Sequence, residues 1–119
     1  VGGIPVKQRD VLLVPFPFSD RSGAKVRPVL VLSNNAFNSS GEDLIVCGIT
    51  TNIRPSKYSI GISQGDFESG EIRHECAIKV ETILKLHNSL IIKKIGAVRE
   101  KTFRMVYSAL LDLFSQKLK

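Results

Sequence analysis

The chain has 119 residues, 43% of them hydrophobic and 24% charged, enough to bury the core of one domain without disulfides or metal. Seventeen Lys and Arg against eleven Asp and Glu leave a formal charge of +6, which favours a polyanionic partner without distinguishing RNA from DNA or from plain solubility. No apolar run approaches the roughly 20 residues of a membrane span and no signal peptide opens the chain. Cys47 and Cys76 have neither zinc-site spacing nor the framework of a secreted miniprotein, so a reduced, cytoplasmic protein with both thiols buried is expected.

In chain order, the opening VGGIP is flexible in composition, and residues 1–6 read as a flexible arm with no assigned function. Val11–Val14 and Val29–Leu32 are apolar runs too short for helices and bounded by Pro, Ser and Asn, so both read as buried strands. Between them Pro15 and Pro17 forbid a regular central strand, while Ser19, Asp20, Ser22 and Gly23 supply turn chemistry. Arg21, Lys25 and Arg27 make this an exposed cationic loop ending at Arg27 and Pro28. Ser33 to Asp43 is a polar surface loop with Ala36 and Phe37 as its only apolar anchors. Leu44 to Thr50 is β-branched and nearly uncharged, as in a strand buried on both faces, with Gly48 allowing a bend. The polar segment 54–74 holds a short strand at Tyr58–Ile62 and a hairpin-like connection to the next strand, Cys76–Val80. Thr82–Val98 fits strand or helix by its short apolar runs; a strand, a turn at His87–Asn88 and another strand are favoured. Phe103, Val106, Tyr107, Leu110, Leu111, Leu113 and Phe114 recur at three- and four-residue steps, predicting an amphipathic helix over about 100–115 whose apolar face covers the sheet.

PFPFSD at 15–20, SG at 22–23, RPVLVLSN at 27–34, AFN at 36–38 and IVCGITTN at 45–52 follow one another in an order that resembles the MazF/PemK toxin family of type II toxin–antitoxin systems, in its PemK-like branch. The resemblance covers nearly the whole chain, residues 1–119 then forming a single domain. It implies a mostly β fold with helices, an SH3-like small β-barrel of the CcdB/MazF kind. It also implies a homodimer acting as a metal-independent, cofactor-free endoribonuclease. Such an enzyme cuts single-stranded RNA, mRNA in particular, to 2′,3′-cyclic phosphate and 5′-OH ends and is held inactive by a cognate antitoxin. One departure is Arg9, where the family usually has Gly before its first Asp, a position that suits a tight backbone approach. The alternative is a non-catalytic barrel that binds nucleic acid or protein, or a gyrase-directed toxin of the same fold.

RNA cleavage of this kind needs proton transfer and donors that stabilise charge growing on the phosphorane. Arg27 suits the second task, since its fork matches phosphate oxygens and Pro28 restricts its backbone. Taken alone, an Arg before a strand reads as a surface charge; the family's functional arginine falls in the dipeptide that Arg27-Pro28 reproduces. Thr50 matches the family threonine of the IT segment and offers a hydroxyl to the phosphate, with Thr51 as an adjacent fallback. Ser19 and Asp20 either contact RNA or form an Asx-type turn, Phe16 and Phe18 either stack bases or pin the loop, and Lys25 adds charge. Some relatives carry an Arg-x-Asp pair where this chain has Lys79-Val80-Glu81; alternation sets Lys79 and Glu81 on one strand face, as proton carriers or as an exposed ion pair. His74 and His87 fall in turn-like sequence with nothing to bring them together, and there is no HExxH, CxxC or Gly-rich phosphate loop. Neither a metal site nor a cofactor is expected.

Overall fold

The computed structural model describes residues 5–16 and 25–116. Its elements are β1 (Asp10–Phe16), β2 (Lys25–Val31), α1 (Asn35–Ser40), β3 (Asp43–Thr50), β4 (Ser59–Ile62), β5 (Phe67–Gly70), β6 (Cys76–His87), β7 (Lys93–Val98) and α2 (Glu100–Phe114). Short 3-10 turns at Gln64–Asp66 and Asn88–Leu90 join β4 to β5 and β6 to β7. The strands form one seven-stranded antiparallel sheet in the order β4-β6-β3-β2-β1-β7-β5. Its two edges are consecutive in the chain. Laid flat, six spacings of about 4.8 Å would hold β4 and β5 roughly 29 Å apart. The four-residue connection reaches at most about 18 Å. The sheet therefore curls towards closure, which is the expected small barrel, here left as a half-barrel.

A latch holds the two edges. Asp66 accepts from the Ser63 N–H at 2.9 Å and from the Thr102 hydroxyl at 2.8 Å, while its carbonyl accepts from the Arg99 N–H at 2.8 Å. The joint between the edge strands is thus tied to the first turn of α2. At the other edge β5 lies close against its neighbour β7, and a Cβ on Gly70 (φ +86°) or on Gly96 would strike the facing backbone.

Two apolar clusters lie on the two faces of β1, β2 and β3. Val11, Leu30, Cys47 and Ile49 join Ile78, Val80, Val98, Phe103 and Val106, whereas Leu12, Val14, Val29, Val31, Leu44, Val46 and Leu86 form the second. Burial on both faces explains why these strands read as continuous apolar runs rather than alternating ones. In β6 a register shift does the same work. Pairing runs from Asp43–His87 to Cys47–Ile83 and then jumps to Gly48–Lys79, skipping three residues of β6. An odd shift exchanges the faces, so Leu84 and Leu86 serve the second cluster while Cys76, Ile78 and Val80 serve the first. The shift falls beside Gly48, where a bend is expected.

Several expectations are corrected. Pro15 and Pro28 lie inside paired strands, opposite Val26 and Leu13, so β1 runs past its first proline and Arg27 sits within β2 rather than at the end of a loop. The 33–43 loop contains α1, nucleated by Asn34 as N-cap, its side chain accepting from the Phe37 N–H at 2.8 Å. Its anchor is buried Asn38, which donates to the Ser33 carbonyl at 3.0 Å, whereas Phe37 is exposed. The connection after β4 includes β5, and β6 is one strand through His87, where the expected turn follows. Residues 1–4 of the opening arm lie outside the described residues, but Val6 packs against the second cluster. α2 forms as expected, but its apolar residues do not all cover the sheet: Phe103 and Val106 are buried and Ala109 and Leu110 pack partly buried against the first cluster, while Tyr107, Leu111 and Phe114 are exposed.

Candidate functional site

The register of β2 and β3 brings the two leading residues together. The β2–β3 ladder runs from Val31–Val46 to Val29–Gly48, and alternation along each strand beyond that last pair puts Arg27 of β2 and Thr50 of β3 on the same face of the sheet. Arg27 is half-buried, and its Nε is buried without a hydrogen-bond partner among the described residues. A buried donor left unpaired costs free energy. The Thr50 Oγ1 accepts from the Asn52 N–H at 3.0 Å, which leaves its own proton free to donate.

The face exchange in β6 places the charged pair beside them. Lys79 pairs with Gly48 of β3 and with Ser59 of β4, and Thr50 pairs with Ala77, so Lys79 shares the face of Thr50. Lys79 Nζ lies 3.5 Å from Glu81 Oε2, both side chains about two-fifths exposed. Thr50, Asn52, Arg54, Ser59, Lys79 and Glu81 line a cavity of about 280 Å³. Asn52, Arg54 and Ser59 were not legible as site residues, because the pairing of β4 with β6 that gathers them is non-local. Lys25 lies exposed two residues before Arg27, hence on its face.

Residues 7–114 match the sequence profile of the PemK-like, MazF-like toxins of type II toxin–antitoxin systems. The chain belongs to this family. Solved structures repeat its fold. The Mycobacterium tuberculosis toxin MazF-mt6 is 15% identical with a TM-score of 0.75, over 92% of this chain and all of that one. An endoribonuclease in complex with its cognate antitoxin, from a mycobacterial species, is 18% identical with a TM-score of 0.77, over 96% and 99%. MazF in a MazE–MazF complex from Deinococcus radiodurans is 16% identical with a TM-score of 0.71, over 96% and 99%. No curated protein sequence matches the chain.

In this PemK-like toxin the remaining candidates separate. Thr51 does not stand in for Thr50: it is exposed and lines a different, largely apolar cavity of about 310 Å³ with Pro28, Ile49, Arg73 and His74. Phe18, Ser19 and Asp20 lie outside the described residues, as does the Phe16 side chain. His74 lies two residues before β6 and His87 ends it, at opposite ends of a twelve-residue strand, and nothing among the described residues brings them together as a paired acid and base. His87 instead caps the following turn, accepting from the Ser89 N–H at 3.0 Å, with Glu42 3.2 Å away. Cys47 is no nucleophile, for burial, with the Glu81 charge adding, pushes its thiol up to about 12; burial also raises Cys76. Both are free thiols, as expected.

Arg9 adopts φ +82°, the left-handed conformation that glycine would take without strain. Its Nη1 donates to the Val98 carbonyl at 2.9 Å and to Glu68 at 3.2 Å, which offsets that strain. The turn survives the departure from the family pattern, and buried Asp10 after it keeps both partners, the Lys7 N–H at 2.8 Å and Lys94 Nζ at 3.1 Å. Among the described residues no three His, Cys, Asp or Glu side chains gather as metal ligands would, and no helix is long and apolar enough to cross a membrane.

Proposed function

We propose that this toxin is a metal-independent endoribonuclease that cuts single-stranded mRNA, with Arg27 and Thr50 as its catalytic residues. The observation that carries the reading is a half-buried guanidinium on β2, its Nε unpartnered among the described residues, on the same sheet face as a β3 hydroxyl whose proton is free to donate. In the reaction the 2′-oxygen attacks its own phosphodiester, the P–O5′ bond breaks, the 2′-OH proton leaves and the 5′-oxygen gains one. The products are a 2′,3′-cyclic phosphate and a 5′-OH. Arg27 gives two parallel donors to the phosphate oxygens as charge grows, and the Thr50 hydroxyl fixes the phosphate's orientation. Lys79 and Glu81 form the polar floor of the adjoining cavity rather than a proton-carrying pair.

The toxin works as a homodimer in the cytoplasm and is restrained by an antitoxin with an acidic, partly apolar tail, for which Lys25 and Arg27 supply complementary charge. Antitoxin complexes among the structurally similar proteins support this reading. Incubating long single-stranded RNA with the purified protein, with and without EDTA, and mapping the ends tests the nuclease. Fragments with cyclic-phosphate ends in EDTA are expected. RNA that survives intact, while the protein inhibits a topoisomerase, would overturn it in favour of a gyrase-directed toxin.

A further inference from the structure

The cavity beside Thr50 has features that phosphate chemistry does not need. At about 280 Å³ it falls just under the roughly 300 Å³ where pockets for drug-sized ligands begin, a size for one base and not for a peptide helix. Besides Thr50 of β3, three separate elements wall it. Lys79 and Glu81 come from β6, with Ser59 of β4 beside them; Asn52 and Arg54 come from segment 51–58. That segment has no strand partner, yet it is held in place. Asn52 N–H bonds Thr50 Oγ1 at 3.0 Å, Ser59 N–H bonds the Ser56 carbonyl at 3.2 Å, and Val80 N–H bonds the Tyr58 carbonyl at 3.0 Å. A wall positioned before the ligand arrives costs little to order on binding.

The donor and acceptor complement is specific. Glu81 is the one carboxylate in the lining among the described residues, and Lys79 engages only its Oε2. A carboxylate accepts at both oxygens and donates at neither. Of the four RNA bases only guanine presents two adjacent donors, N1–H and N2–H, while its O6 and N7 form the acceptor pair that an arginine fork fits. Thr50 lines this cavity and shares its sheet face with Arg27 on the neighbouring strand, so an occupant lies beside a phosphate held by Thr50.

We infer that this cavity is a base subsite selecting guanine beside the scissile phosphate, with Glu81 reading the N1–N2 edge and Arg54 the O6–N7 edge. The inference rests on RNA being the ligand, as proposed above, but not on cleavage. The test measures binding of 2′-O-methyl trinucleotides that differ only in the central base, since these lack the attacking hydroxyl. Guanine is expected to bind at least about tenfold more tightly than adenine, cytosine or uracil, the discrimination of one good bidentate contact. Glu81→Gln should bring that ratio near one with the fold intact, and Arg54→Gln should reduce it. Equal affinity for all four bases, preference for another base, or a guanine preference that survives Glu81→Gln overturns the inference. So does a Glu81→Gln protein that fails to cleave any RNA while binding bases with the wild-type ratio, because Glu81 would then carry protons. The two readings fail separately: guanine-selective binding without cleavage sinks the nuclease alone, and cleavage at sites without guanine sinks the subsite alone.

Discussion

Replacing Arg27 with alanine separates the fold from the chemistry. In the folded chain the buried Nε lacks a partner among the described residues, a penalty of about 1–3 kcal/mol that alanine removes. Against this, the half-buried aliphatic stem loses contact with its strand neighbours, worth about 1–2 kcal/mol at ~0.8 kcal/mol per methylene. The two effects nearly cancel, so Arg27→Ala should keep the wild-type urea midpoint and circular dichroism spectrum at equal protein concentration. Cleavage should not survive. Losing one transition-state donor typically lowers kcat by ~10²–10³, about 3–4 kcal/mol. Single-turnover cleavage of a labelled single-stranded RNA reads the rate, with host growth as a second readout. Arg27→Lys keeps the charge without the fork and should fall between the two. Cleavage within about threefold of wild type by a folded Arg27→Ala protein would remove Arg27 from the site, and a large loss of stability would refute the burial argument.

Three further outcomes are expected. The left-handed backbone at Arg9 costs an arginine about 1–2 kcal/mol, which its bond to the Val98 carbonyl at 2.9 Å offsets. Arg9→Gly, which loses both strain and bond, should therefore stay within about 1 kcal/mol of wild type, whereas Arg9→Ala, which keeps the strain, should lose about 2 kcal/mol; the reverse order in urea denaturation would refute this. Asp66→Ala cuts the latch between the sheet edges and α2, leaving the buried Thr102 hydroxyl unpaired, and should cost about 2–3 kcal/mol, with early amide exchange in β4 and β5. Finally, Cys47 has a folded pKa raised from 9.0 to about 12, so its contribution is complete below pH 9 and fades as pH rises through that window. The difference in stability between wild type and Cys47→Ala should shrink over pH 9–12; a constant difference would show the thiol is not held neutral by burial.

Local chemistry already determined much of this protein. The apolar runs of β1, β2 and β3 and the three- and four-residue rhythm of α2 depend on neighbours within a few positions, and the ordered motifs around Arg27-Pro28 and Ile49-Thr50 carried the family resemblance. What those motifs did not contain was distance. β5 is four residues, FESG, with little strand preference of its own; it exists because Gly70 and Gly96 let it approach β7, about twenty-five residues away. The same holds for the site. Arg27 and Thr50 share a face through the register of β2 with β3, and Lys79 joins that face only because β6 skips three residues at Gly48 and exchanges its faces, with Glu81 and Arg54 lining the same cavity as Thr50. Even the helix, legible in its period, buries Phe103 and Val106 but leaves Tyr107, Leu111 and Phe114 exposed, since an apolar pattern shows which face is able to bury but not how much surface there is to cover it.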